Sequence, residues 1–143
     1  MSGQLRFGKL SMTSDQQTVL KANADFYAAF SNRDFSRMER LWSEADHIIV
    51  IHPGWPALIG RRPVISSWKR IMEGGMSPEV SCVDAQATIL GETAVVVCTE
   101  ILTDTELVAT NIFCREEDEW KLIHHHSGPL PQLNHAAGEE HVH

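Results

Sequence analysis

Apolar residues recur at steps of three and four along the first third of the chain: Val19, Ala22, Phe26, Ala29 and Phe30. That period predicts an amphipathic helix running to Ser31. Ser14-Asp15-Gln16-Gln17 in front of it reads as a capping box, with Ser14 facing the amide of Gln17. Asn32-Arg33-Asp34 forms a turn, and Asp34 caps a short second helix that carries Met38, Leu41 and Trp42 inward. His47–His52 (HIIVIH) is a short apolar strand, ended by Pro53-Gly54-Trp55-Pro56 because proline cannot extend a ladder. Pro63 suits the first turn of a third helix, Pro63–Glu73, stopped by Gly74-Gly75. Beyond it the period changes to two. Glu79–Leu90, Ala94–Thr103, Glu106–Arg115 and Trp120–Ser127 read as strands. Their linkers are short, so they are expected to be consecutive antiparallel neighbours. The order ααβαββββ predicts an α+β fold, with three helices on one face of a strongly curved, mixed or antiparallel sheet. Such a sheet closed by helices leaves a conical hollow, a usual place for a ligand.

The chain has 143 residues, which suits one domain. The expected division is a flexible arm at 1–13, a domain at 14–132 and a polar tail at 133–143. A formal charge of −7 disfavours nucleic acid or an anionic membrane as partner, since both need a basic face. Cys82, Cys98 and Cys114 form no CxxC pair and no disulfide framework, so a reducing cytoplasm is the simplest setting. The N-terminal dozen residues lack a long apolar core, and no run approaches the ~20 apolar residues of a membrane span.

The candidate chemistry gathers near the ends of strands. His124, His125 and His126 follow one another in WKLIHHHSGP. Strict alternation puts His124 and His126 on one face with Trp120 and Leu122, and His125 on the other with Ile123 and Ser127. The His124/His126 pair reads as pocket wall, as a structural face, or with His52 as a metal site; the working expectation is no metal and no cofactor. His52 ends the first strand. It is either a general base, with an ordinary pKa near 6.5, or a group that fixes the Pro-Gly-Trp loop. Glu100 interrupts the apolar run VVVCTEIL. It either lies on a solvent-facing strand end or is buried beside a partner such as His126, Asn111 or an arginine. Asn111 on the next strand is an amide that can orient a ligand. Phe26, Phe30, Trp42 and Trp68 supply an apolar wall, and Trp55 on its loop a lid. Aromatic walls with few polar groups suit a small, flat, mostly apolar or aromatic ligand. No GxGxxG after a strand, GxxxxGK, GxSxG or HExxH occurs.

The element order, with Phe26-Tyr27-Ala28-Ala29-Phe30, Asn32-Arg33-Asp34-Phe35, His52-Pro53-Gly54-Trp55, Gly60-Arg61 and Ser67-Trp68, resembles the SnoaL-like branch of the nuclear transport factor 2-like superfamily. The ending Trp120 … His124-His125-His126-Ser127-Gly128-Pro129 resembles the last strand of the calcium/calmodulin-dependent kinase II association domain. The resemblance implies a cone fold, a homodimer through the sheet, and cofactor-free isomerase, cyclase or dehydratase chemistry. His52 would then be the base, with Glu100 or His126 orienting it or acting as acid, and His124 and Asn111 touching the ligand. It also leaves open a non-catalytic binding or assembly module and a metal enzyme using His52, His124 and His126. The ketosteroid isomerase branch carries a tyrosine where Phe26 falls. Tyr27 is one position off, about 100° round the helix, so a phenolic oxyanion hole at that place is not expected.

Overall fold

A computed structural model describes residues 12–75 and 79–131. Most of the expected arm and all of the expected tail lie outside the described residues. Helix α1 spans Ser14–Ser31. Its N-cap is Thr13, not Ser14: Thr13 accepts from the Gln16 amide while the Gln16 side chain accepts from the Thr13 amide. Both Thr13-x-x-Gln16 and Ser14-x-x-Gln17 satisfy the capping-box pattern, and the helix starts one residue earlier than expected. Helix α2, Phe35–Leu41, is capped by Asp34, whose carboxyl accepts from the Arg37 amide at 3.2 Å. Helix α3, Arg61–Glu73, begins two residues before Pro63, behind Gly60, which turns the chain at φ 107°. No helix among the described residues is long and apolar enough to cross a membrane.

The strands are β1 Ile49–Ile51, β2 Leu58–Ile59, β3 Ser81–Leu90, β4 Thr93–Ile101, β5 Glu106–Glu116 and β6 Glu119–Pro129. They form one curved sheet in the order β2-β1-β6-β5-β4-β3. The last four are antiparallel neighbours, as their short linkers require, while β1 runs parallel to β6. The fold is therefore α+β, with three helices on a six-stranded mixed sheet. The short β2, which pairs with β1, was not expected from the sequence.

The helix-facing side of the sheet is the core. Val50, Ala94, Val96, Ala109, Phe113 and Leu122 meet Val19, Phe26, Met38, Val64 and Trp68 from the helices. Burying each of the larger side chains contributes about 1.5–3 kcal/mol. Trp42, at the C-cap of α2, is part of this core and bridges to Leu122.

One irregularity decides which side chains reach the helices. In the β5–β6 pairing, Ile112 faces His124 but Phe113 faces Leu122, so Ile123 is an extra residue in β6. A bulge of this kind switches the face of every later residue. Trp120 and Leu122 point inward before it; His125 and Ser127 point inward after it. The alternation expectation is corrected here. His124 is only half-buried and His126 is exposed, both on the outer face, and His125 is the buried one.

Candidate functional site

A cavity of about 170 Å³ opens between the helices and the concave side of the sheet. Phe30, Trp68 and Ile71 line it from the helices, Leu102 and Leu107 from the sheet, and Trp55 from the loop after β1. That loop is built by its sequence. The Trp55 amide donates to the His52 carbonyl at 2.9 Å, with Pro53 and Gly54 between them and Gly54 at φ 82°. Proline followed by a positive-φ glycine is the type II turn pattern. It returns Trp55 onto the His52 ring, with ring centres 4.8 Å apart. Arg70 of α3 stacks its guanidinium 5.3 Å from the Trp55 ring centre. Two larger depressions, one by Arg61, Arg62 and Lys69 and one by the β4–β5 turn, are open surface grooves without a buried titratable group.

The closed end of the cavity is polar. Glu100 is buried there, and both of its oxygens are occupied. Tyr27 Oη donates to Oε2 at 2.6 Å and Ser127 Oγ donates to Oε1 at 2.6 Å. Burial, and then the neighbouring Glu100 and Cys98, raise the Tyr27 phenol above its ordinary range, so it keeps its proton. Asn111 stands behind. Its amide nitrogen donates to Asn23 Oδ1 at 2.8 Å and to Tyr27 Oη at 3.1 Å. Its carbonyl oxygen therefore faces His125 Nδ1, 2.5 Å away, and can only accept. His125 thus carries its proton on Nδ1 and an unshared pair on Nε2, which lies 3.9 Å from Glu100 Oε2. Burial, and then the neighbouring histidines, hold His125 well below its ordinary pKa, so the pair is a neutral imidazole beside a carboxyl and not an ion pair.

His52 follows the same logic. Ser67 Oγ donates its one proton to the Val64 carbonyl at 2.7 Å, so the 2.9 Å contact to His52 Nε2 is donated by the imidazole. Nδ1 keeps its unshared pair. Burial lowers the His52 pKa to about 4, so the ring is neutral at pH 7.

A family profile described as a SnoaL-like domain matches residues 19–131. The chain belongs to the SnoaL-like domain family. Among solved structures, a candidate dehydratase of the NTF2-like family from Streptomyces avermitilis is 35% identical, with a TM-score of 0.76 over 83% of this chain and 98% of that one. A candidate calcium/calmodulin-dependent protein kinase type II association domain from Thiobacillus denitrificans is 29% identical, with a TM-score of 0.71 over 77% and 93%. The F-box protein SKIP8 of Arabidopsis thaliana is 25% identical over 116 residues, 80% of this chain. This SnoaL-like chain spans 50% of the length of that relative.

Within this SnoaL-like domain, His52, Glu100, Phe30, Trp55 and Trp68 come together around the cavity. Phe26 lies one layer deeper, edge-on to Trp68 at 5.5 Å and near His125 at 5.1 Å. Trp42 is core and does not line the cavity, because its C-cap position directs it under the sheet. Asn111 orients His125 and is not part of the lining. His124 and His126 are the clear corrections: the Ile123 bulge puts them outside the cone, with their ring centres 6.4 Å apart. They therefore share no face with His52, and among the described residues no group of three or more His, Cys, Asp or Glu is placed to hold a metal ion. The residues missed are Asn23, Tyr27, His125 and Ser127. Asn23 and Tyr27 had a signal, since both fall on the inward stripe of α1 with Val19 and Phe26.

Proposed function

We propose that the cone holds a compact, mostly apolar molecule and moves a proton on it without a cofactor, in an isomerisation or a dehydration, with Glu100 as the proton acceptor. The observation that carries this reading is one carboxyl buried at the closed end of an aromatic cavity, gripped by two hydroxyls and flanked by a neutral imidazole. No lysine or arginine bonds to it among the described residues, and burying such a group costs several kcal/mol, which packing alone gives no reason to accept. A C–H proton of the ligand passes to Glu100 and the electron pair moves into the ligand's conjugated system. The proton then returns at a second carbon, an isomerisation, or a hydroxyl leaves the ligand with a proton, so that only water is lost. The neutral His125 ring packs beside Glu100, its Nε2 3.9 Å from Oε2 and so beyond direct hydrogen-bond distance. His52, with its pKa near 4, is a weak base and serves as a hydrogen-bond acceptor for the ligand. The description of the Streptomyces avermitilis neighbour as a candidate dehydratase fits the same chemistry.

The test is a panel of monocyclic enones carrying a hydroxyl or amino substituent, together with β-hydroxy ketones, followed by ultraviolet absorbance. Turnover of one member, lowered about 100-fold by Glu100→Gln with binding retained, is the expected result. Full turnover by Glu100→Gln contradicts it. Binding throughout the panel with no turnover leaves a ligand-binding module.

Assembly is a second part of the reading. Val83, Val97 and Val108 are exposed, Val97 and Val108 on the outer sheet face that also carries His124 and His126. We assign that face to a second copy of the chain, giving a homodimer, in keeping with the kinase association-domain neighbour. Light scattering that gives a monomer at all concentrations removes it. Three free cysteines suit a reducing cytoplasm.

A further inference from the structure

Resting on that pocket reading, we infer that the natural ligand of the cone presents a hydrogen-bond donor, an ammonium or hydroxyl on a single small ring, to the closed end, and is not a ligand with acceptors alone. The hydrogen-bond arithmetic of the closed end carries this. Every side-chain proton there is already committed to another protein atom. Tyr27 and Ser127 spend theirs on Glu100, Asn111 spends both of its amide protons on Asn23 and Tyr27, and His125 spends its proton on Asn111. His52 gives its proton to Ser67, and Ser67 gives its own to the Val64 carbonyl. What is left facing a ligand is a set of unshared pairs: the Glu100 oxygens, His125 Nε2 and His52 Nδ1. Two indole N–H groups of the wall have no hydrogen-bond partner among the described residues: that of Trp68, of which less than 1 Å² is accessible, and that of Trp55, which sits on the loop after β1 and not at the closed end.

A ligand that brings only acceptors would set lone pair against lone pair and leave its own polar atom unsatisfied, which costs about 1–3 kcal/mol. A ligand that brings protons satisfies the site. Size narrows the class. A cavity of ~150 Å³ is room for one benzene ring, so about 170 Å³ takes one ring with one small substituent.

The experiment uses three probes of equal heavy-atom count: benzylamine, benzyl alcohol and anisole. Each is titrated into the full chain and followed by the indole signals of Trp55 and Trp68 in NMR. The expected order is benzylammonium tightest, then benzyl alcohol, with anisole weaker than benzylammonium by about tenfold or more. Glu100→Gln is expected to weaken benzylammonium about tenfold and benzyl alcohol by less than about threefold. Anisole binding as tightly as the two donors overturns the inference on the wild-type protein alone, and the pocket reading survives. Binding of none of the three up to their solubility overturns the pocket reading and this inference with it.

Discussion

The two faces of the sheet treat one residue type in opposite ways. His125 points inward, is buried, and is fixed by Asn111 at Nδ1 while Nε2 lies 3.9 Å from Glu100. His124 and His126, its immediate neighbours, point outward beside Ile49 and Ile51, with no hydrogen bond from either ring among the described residues. The inner face therefore gathers its carboxyl, amide and imidazole groups into one network, because each such group left unpaired there costs about 1–3 kcal/mol; the buried indole N–H groups of Trp42 and Trp68 stand outside it. The outer face imposes no such condition. It tolerates histidines, threonines and exposed valines side by side, as a surface or an assembly face does.

That contrast can be broken most forcefully by truncation. Trp68→Ala on the inner side is expected to cost about 3–5 kcal/mol in urea unfolding. Val97→Ala on the outer side is expected to cost less than ~1 kcal/mol at low protein concentration. Equal costs would erase the distinction. A cost for Val97→Ala that grows with concentration would report a second copy covering the outer face.

The pH dependence comes next in size. His52 has a folded-state pKa near 4 against about 6.5 unfolded, so between those values the unfolded chain binds more protons. Stability is full above pH 6.5 and falls as the pH drops towards 4, by about 3 kcal/mol for His52. His125 shifts in the same direction and adds to the loss. His52→Gln is expected to flatten part of that slope in unfolding experiments across this range. His126→Ala is expected to leave it unchanged, and a slope that followed His126 instead would reverse the assignment of faces.

A smaller effect sharpens the network itself. Asn111→Ala removes the partner of His125 Nδ1 and of Asn23 Oδ1 and is expected to cost about 1–3 kcal/mol. His124→Ala, the outer counterpart, is expected to stay within about 0.5 kcal/mol. Comparable losses would mean that the inner network does not bear on stability.

Much of the frame was legible in the chain. The three-and-four spacing gave α1, and the switch to a period of two with short linkers gave β3 to β6 in their antiparallel order. Asp34 was legible as a cap because it alone occupies that turn, whereas Thr13 and Ser14 offered two equivalent caps. Strand β2 was not legible, since two residues after a proline-rich loop carry no period. The inner site was half legible. Glu100 stood out against its apolar run, and His52 against the proline that follows it. The identity of the inward histidine was hidden, because the bulge residue is an isoleucine, which has no sequence mark that separates it from an ordinary strand position. A one-residue slip of this kind exchanged His125 and Ser127 for His124 and His126 while leaving the residues before Ile123 on their expected faces.

The account turns on where two protons sit, and nitrogen-15 NMR of the histidine rings measures that directly in the ligand-free protein. At pH 6 the account predicts neutral rings for both cone histidines, His125 protonated on Nδ1 and His52 on Nε2, while His124 and His126 lie outside the network. A charged His125 at that pH, or its proton on Nε2, would contradict the network and with it the acceptor-only character of the closed end.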